Sequence, residues 1–401
     1  MKTLRFIALI CAVVTLLSGC GWQQYTSTEN PPTVVDGTKY QHIFNDYLQY
    51  RQLTEIEKTC YGVLYTSAKD NLSAETMVSN EDGETIAGLR ITLPGPSLSA
   101  EQVARVFEAF YLDNPLFFYV DRVYSLEGRE TGGVQTYDTL ILRYTMNAAQ
   151  RQTAYNALNR ATDAILKDCP GTTDAYLAEL YLHDALLSLC TYDQAATASA
   201  VEYPNAYSAY GALVEGKAVC EGYAKAMQLL LTYAGIPATV IRGYSADNQT
   251  PHMWNLVQIN GNYYYLDPTW NDDDRYPHYS YFNVTSAALK RTHVVDTATI
   301  VPTDCREETE NYFIRNNAYI SVFDRDAIAD AIAAQLAQGA DSVHLSFADG
   351  KFENGLLFLK NATLTKKMVN ARLANGEKMW DYELHTNAKQ NTLFLHKAQE
   401  E

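Results

Sequence analysis

The chain has 401 residues, of which 47% are hydrophobic and 19% are charged, and its formal net charge is −16. This composition is that of a folded globular protein and excludes a disordered, collagenous or polytopic membrane chain. The acidic balance, without any local basic patch, excludes nucleic acid as an expected partner because a polyanion would be repelled.

The N-terminus has the layout of an export signal. Lys2 and Arg5 precede an apolar run at 6–17, which is too short to span a bilayer, and small residues follow it. The sequence therefore predicts a signal peptide over residues 1–19. Residues 20–39 are rich in Thr, Ser, Asn and Pro and are predicted to form a flexible tether.

The end of the apolar run, LSGC at 17–20, resembles the lipobox of bacterial lipoproteins, in which the cysteine is acylated and becomes the new N-terminus. The resemblance implies that Cys20 anchors the chain in the lipid bilayer, on the extracytoplasmic face of the cell membrane. An ordinary secretory signal with an incidental cysteine is the alternative.

Residues 40–170 are predicted to form a small α+β domain. The residues from Ser99 to Gln102 form a capping box that opens a helix running through Phe110. The strand-forming stretch 139–144 and a helix over 148–166 follow it. We find no chemical motif in this domain.

Residues 171–300 are predicted to form a second domain in which a buried helix packs on an antiparallel sheet. A helix over 174–189 comes first, and the stretch between Val219 and Gly235 is apolar on nearly every face, as expected of a central helix. Strands follow at 238–242, 253–259 and 263–266. Asn260-Gly261 between the last two is a strong hairpin signal.

Residues 305–401 are predicted to form a third, α+β domain. Its pattern is a strand at 318–323, a helix over 326–338, a strand at 342–347, and a strand pair near 382–385 and 392–396. No catalytic constellation is visible here, so a docking or spacing role is the expectation.

Cys220 is the candidate nucleophile. It lies at the first turn of the predicted buried helix, where unpaired N–H groups and the positive end of the helix dipole stabilise a thiolate. In a two-residue hairpin at Asn260-Gly261, His252 lies opposite about position 269, so Asp267 is a near neighbour. A thiol, a base and a group that orients the base are what nucleophilic catalysis requires.

Four segments in this region resemble the transglutaminase-like superfamily: GKAVCEGYA at 216–224, AGIPA at 234–238, HMWN at 252–255 and YLDPTW at 265–270. The resemblance extends over about residues 174–283. It implies a papain-like fold in which Cys220, His252 and Asp267 match the family's cysteine, histidine and aspartate. None of the three is substituted.

Further site residues are expected around this triad. The family commonly supplies an upstream side chain to the oxyanion, and Tyr210 is our candidate for that donor. Trp254 and Trp270 flank the triad and are candidate walls of the acyl site, with core packing as the alternative. His278 and His293 follow the core motifs, and a packing role is favoured for both.

The resemblance leaves the reaction open. A thioester at Cys220 can be resolved by water, which gives a peptidase or amidase, or by a lysine amine, which gives a crosslinking transglutaminase. The expected substrate is a peptide, a protein or a cell-wall polymer. A surface binding module without turnover is a third hypothesis, motivated by the 30 tyrosines and the flanking domains.

No cofactor or metal is assigned. The acidic loop at 271–274 lacks EF-hand spacing, and the seven cysteines include no CxxC or Cys/His zinc pattern. Outside the cell, disulfides among the four non-catalytic cysteines of the folded part are compatible with the sequence, which does not choose their pairing. These are Cys60, Cys169, Cys190 and Cys305.

Overall fold

The structure is a computed structural model. It describes residues 7–8, 47–79, 83–95, 97–171, 173–273, 276–298, 301–374 and 376–398. Apart from Ile7 and Ala8, the predicted signal peptide, the lipidation site Cys20 and the tether lie outside these residues. Within the described ranges, no helix has the length and apolar character needed to span a membrane.

The chain forms two compact units. The first contains Met1–Gly261 and Val294–Thr303, and the second contains Asn262–His293 and Asp304–Glu401. Both contain helices and strands, so the predicted α+β class is confirmed. The predicted domain boundaries at 40–170, 171–300 and 305–401 stay predictions.

The N-terminal part of the first unit is built on a five-stranded antiparallel sheet in the order β1-β4-β5-β3-β2. Its elements are β1 (Ile7–Ala8), α1 (Glu55–Lys69), β2 (Met77–Ser79), β3 (Thr85–Thr92), α2 (Ala100–Asp113), β4 (Val120–Thr131), β5 (Val134–Tyr144) and α3 (Ala148–Lys167). The predicted capping box is confirmed, since the Ser99 hydroxyl accepts from the Gln102 N–H at 3.3 Å.

The remaining part of the first unit is arranged around one buried helix. Its elements are α4 (Ala175–Leu189), β6 (Thr191–Tyr192), β7 (Lys217–Ala218), α5 (Cys220–Tyr233), β8 (Ala238–Ser245) and β9 (Pro251–Ile259). Strands β8 and β9 pair antiparallel, and α5 packs on both. All residues of α5 except Thr232 are buried, as its apolar pattern predicts. The positive φ of 78° at Gly235 ends the helix.

Polar contacts connect the two parts of the first unit. The Arg242 guanidinium in β8 lies 2.8 Å from the Glu108 carboxylate in α2. In addition, the Gln228 side chain in α5 donates to the Leu112 carbonyl at 2.8 Å. The sheet and helices of the N-terminal part are therefore packed directly against the part that carries Cys220.

The second unit contains a four-stranded sheet in the order β12-β13-β15-β14, in which only β12 and β13 are parallel. The predicted strand at 318–323 is limited to two residues, because Asp324 already caps the next helix. The elements are β10 (Asn262–Leu266), α6 (Pro268–Asn271), α7 (Ser286–Leu289), β11 (His293–Val295, its last two residues in the first unit), α8 (Tyr312–Arg315), β12 (Tyr319–Ile320), α9 (Arg325–Leu336), β13 (Ser342–Phe347), α10 (Phe352–Lys360), α11 (Ala362–Asn370), β14 (Tyr382–Asn387) and β15 (Thr392–Lys397).

The two faces of this sheet differ in character because side chains alternate along each strand. One face carries Val343, Leu345 and Leu395, which join the apolar core together with residues of α9, α10 and α11. The other face carries His344 and His385, which both pair in register with Phe394 of β15, and His396 two positions further along that strand. We call His344, His385 and His396 the histidine face.

Candidate active site

Cys220 is the first residue of α5 and is only 1% exposed. The residue before it, Val219, has no side-chain group that could cap the helix. The positive end of the helix dipole at this first turn favours negative charge, such as that of a thiolate. The structure thus places Cys220 at the predicted helix start.

His252 is the second residue of β9 and lies directly across from Gly243 of β8. Its ring centroid is 5.9 Å from that of Trp254, and the residue is almost fully buried. A Cβ atom at position 243 would lie 2.1 Å from the Val294 carbonyl oxygen and 2.5 Å from Cη2 of Trp254. Only glycine fits across from His252.

Asn255 fixes strand β9 against the helix that carries Cys220. Its side-chain amide donates to the Ala224 carbonyl of α5 at 2.8 Å, and the residue is fully buried. Ala224 lies one turn after Cys220. This hydrogen bond fixes the position of β9 along α5. It therefore also fixes where His252, three residues earlier in β9, lies along the axis of α5 relative to the start of the helix.

Asp267 is fully buried and caps the short helix α6. One carboxylate oxygen, Oδ1, accepts from the Trp270 N–H at 3.1 Å. The other, Oδ2, lies 3.0 Å from Nε2 of His293, which is also fully buried. Nδ1 of His293 in turn lies 2.9 Å from the Thr292 hydroxyl. Sequence reasoning favoured packing for His293, whereas the structure makes it a direct partner of Asp267.

The two units divide the predicted triad. Cys220 and His252 belong to the first unit and Asp267 to the second. Asn260 and Gly261, which precede β10, have φ angles of 53° and 84°, as the predicted turn requires. The contacts of His252 with the thiol and with the carboxylate stay predictions.

The other predicted site residues have well-defined surroundings. Tyr210 is partly exposed and its ring stacks on Phe118 of the N-terminal part, with centroids 5.1 Å apart. Trp254 is fully buried, and Trp270 is half-buried with its ring 4.2 Å from that of His293. The roles of all three toward an acyl group stay predictions.

A buried ionic cluster next to Cys220 was not anticipated from the sequence. The Glu221 carboxylate contacts the Lys225 ammonium at 2.7 Å, the Arg122 guanidinium at 3.2 Å and the Tyr111 hydroxyl. Burial lowers the pKa of Lys225 to about 7, against the opposite effect of the Glu221 charge. The only sequence signal was the i, i+4 spacing of Glu221 and Lys225.

The other cysteines in the described part of the chain differ from Cys220 in their setting. Burial raises the pKa of Cys60 to about 11 and that of Cys305 to about 12, so both are weak nucleophiles at neutral pH. All five described cysteines, including Cys169 and Cys190, carry thiols rather than disulfides. The pairing that the sequence left open is therefore not formed here.

Residues 163–268 match the family model described as the transglutaminase-like superfamily. This span contains Cys220, His252 and Asp267. The chain therefore carries a transglutaminase-like domain, as its four motifs predict. No curated protein matches the chain.

Several solved structures are similar to parts of the chain, among them the three that follow. A provisionally assigned cysteine protease from Cytophaga hutchinsonii is 17% identical, over 36% of this chain and 56% of that one, with a TM-score of 0.24. A TGase is 13% identical, over 50% and 56%, with a TM-score of 0.26. The periplasmic domain of TgpA from Pseudomonas aeruginosa is 14% identical, over 49% and 75%, with a TM-score of 0.23. The chain thus spans little more than half the length of the first two.

Proposed function

We propose that the protein is a cysteine-dependent acyl enzyme that hydrolyses peptide or amide bonds. In this mechanism the Cys220 thiolate attacks the carbonyl carbon, and the leaving amine takes a proton from His252. Water, deprotonated by His252, then cleaves the thioester and regenerates the thiol. Asp267 orients the imidazole, and the Cys220 N–H with Tyr210 receives the oxyanion.

The observation that carries this proposal is the position of Cys220 within the family match. The thiol stands at the start of a helix whose first turn has no side-chain cap, and strand β9 with His252 is tied to that helix through Asn255. Nearly all of α5 is buried against the surrounding elements. Such an arrangement favours a thiolate and positions an acyl group beside backbone donors.

The first test is the rate of Cys220 alkylation by iodoacetamide from pH 4 to 9, followed by peptide mapping, in the protein lacking residues 1–20. Fast reaction well below the ordinary thiol pKa of about 8.5, abolished in His252→Ala, is expected. A Cys220 that titrates like an ordinary thiol would contradict the proposal and favour the binding module. The weakly nucleophilic Cys60 and Cys305 serve as internal controls.

The acyl acceptor is tested separately. Release of new amino termini from a protein substrate, lost in Cys220→Ser, is the result that hydrolysis predicts. Incorporation of a fluorescent primary amine into a glutamine-bearing protein, lost in the same variant, would instead show the crosslinking reaction. Both reactions pass through the same thioester, and the product shows whether water or an amine resolves it.

We also propose that the protein is held on the extracytoplasmic face of the cell membrane by a lipid on Cys20. The charged, apolar and small-residue order of residues 1–19 and the LSGC sequence support this. Metabolic labelling with an alkyne fatty acid in a bacterial host should label the wild-type chain and not Cys20→Ser. Equal labelling of both would exclude Cys20 as the anchor.

A further inference from the structure

The first turn of α5 carries an ionic cluster that is shielded from solvent. We call Glu221, Arg122, Lys225 and Tyr111 the Glu221 cluster. The side chains of Glu221 and Lys225 are fully buried, and that of Arg122 is 9% exposed. The Lys225 ammonium also lies 3.4 Å from the centre of the Tyr111 ring. Arg122, Lys225 and Tyr111 each contact Glu221, the residue that follows Cys220.

Stability alone is a poor explanation for these charges. Removing charged groups from water carries a penalty that their mutual attraction often only offsets, and apolar side chains of similar volume are often as stabilising. The cluster brings one anion and two cations into the interior. A role in placing the neighbouring residue explains why ionic groups stand at this turn.

The cluster attaches the first turn of α5 to two distant elements. Arg122 comes from β4 and Tyr111 from α2, and both reach Glu221. On its other side the turn is in tight contact with the preceding loop, since a Cβ at position 222 would lie 2.5 Å from the Ala206 carbonyl oxygen. The start of the helix, and with it Cys220, is held between these contacts.

We propose that Arg122, acting through Glu221, is a positioning residue for Cys220. It fixes the helix start so that the thiol meets its base, and this inference rests on the proposed function of Cys220. Glu221 is the next residue after Cys220 in α5, so an uncompensated carboxylate charge there would oppose a thiolate, and the Arg122 guanidinium offsets this charge. The Lys225 ammonium acts in the same sense from the next turn while it is protonated, and its pKa of about 7 means that this support weakens above neutral pH.

Among the described residues, a charged and an aromatic group also lie near the cluster. On β4, Asp121 neighbours Arg122 and is 3.7 Å from Arg143 of β5. The Arg122 guanidinium lies over the ring of Tyr207, 4.9 Å from its centre, from the loop that leads to α5. Neither Asp121 nor the Tyr207 ring supplies a cation that could replace Arg122 beside Glu221.

The test is a double-mutant cycle between Arg122 and His252, read as the rate of Cys220 alkylation at pH 6 to 8. In the wild type, His252→Ala should slow the reaction strongly. In the Arg122→Met background, the factor by which His252→Ala slows the reaction should be roughly tenfold smaller than in the wild type. This corresponds to about one unit of thiol pKa. Arg122→Lys keeps the positive charge, so in its background the dependence of the alkylation rate on His252 should be close to that of the wild type.

Arg151 supplies the matched control. It is a fully buried arginine of the first unit, but its guanidinium donates to backbone carbonyls, among them Leu72 at 2.8 Å and Ala74 at 2.7 Å. Arg151→Met should therefore lower thermal stability without changing the dependence on His252. The same loss in both variants would show a merely structural role.

A second variant covers the case in which Arg122→Met fails to fold. Arg122→Gln keeps a side-chain donor beside the Glu221 carboxylate, which the Lys225 ammonium still neutralises at 2.7 Å, so this variant should fold while its dependence on His252 stays low. Wild-type dependence in this variant would overturn the inference. An ordinary Cys220 thiol in the wild type would overturn the proposed function as well, so the two failures are distinguishable.

Discussion

The residue across from His252 has no side chain because nothing larger fits there. Gly243 faces the Val294 carbonyl and the Trp254 ring at distances that a Cβ atom cannot share, and its φ is not positive. Space rather than backbone conformation therefore requires glycine at this position. Gly62, in the middle of α1, is the opposite case, since no atom lies within 4 Å of the place where its Cβ would be.

These two glycines predict opposite effects of the same substitution. Gly243→Ala should lower the free energy of unfolding by roughly 1–3 kcal/mol, because the backbone or Trp254 must move, and it should slow Cys220 alkylation through displaced His252. Gly62→Ala should raise the free energy by about 1 kcal/mol from helix propensity alone. Urea unfolding of both variants measures this, and equal effects would contradict it.

For individual residues, the sequence predicts which side chains matter better than it predicts which residues they contact. Cys220, His252 and Asp267 stand in recognisable motifs, and the helix start at Cys220 is confirmed. Arg122 lies 99 residues from its partner Glu221, so no local pattern indicates the contact. His293 likewise follows Asp267 by 26 residues, through a segment without regular periodicity.

Among the elements, those with strong local signals are predicted and those without them are missed. The capping box at Ser99 and the stop at Gly235 mark α2 and α5 correctly. In the tail, α10 and α11 were not predicted, although the Asn361 side chain caps α11 by accepting from the Leu364 N–H at 3.1 Å. Asn361 both ends one helix and begins the next, so the two short helices together lack a single clear period.

The histidine face has a chemical property that its strand pattern alone does not reveal. Burial, followed by the nearby charges of His396 and His278, lowers the pKa of His344 to about 3. Burial, followed by the charge of His385, lowers the pKa of His396 to about 4. Both rings therefore stay neutral when the folded protein is at mildly acidic pH.

Acid should consequently destabilise the protein. An unfolded histidine has a pKa of about 6.5, so below that pH the unfolded chain binds protons that the folded chain does not. The contribution of His344 and His396 is complete above about pH 6.5 and decreases as the pH falls to 4, by about 3 kcal/mol for each ring. Urea midpoints from pH 7 to 4 should show this decline in the wild type.

The matching variant is His344→Gln combined with His396→Gln, in which the decline should be much flatter. His183→Gln, at a fully buried histidine of the first unit, serves as the control and should keep the decline, since it leaves the histidine face intact. An unchanged slope in the double variant would contradict this account.

For the whole molecule, the order of segments matters as much as their folds. The chain leaves the first unit after Gly261, returns to it with Val294 and leaves it again after Thr303. The returning segment is well attached, because the Asp296 N–H donates to the Arg242 carbonyl at 3.0 Å and its carboxylate lies 3.3 Å from the Arg242 guanidinium. Neither unit is therefore a continuous stretch of sequence.

This connectivity constrains the protein while it is being synthesised. A nascent chain that has just released Gly261 from the ribosome still lacks the segment that contains Asp296. The first unit becomes complete only after Thr303 has emerged. By then residues 262–293 have also emerged, but residues 304–401, which complete the second unit, have not yet emerged. A premature stop between these points leaves both units unfinished, so translation must proceed well beyond the transglutaminase-like motifs before the unit that contains Cys220 can be completed.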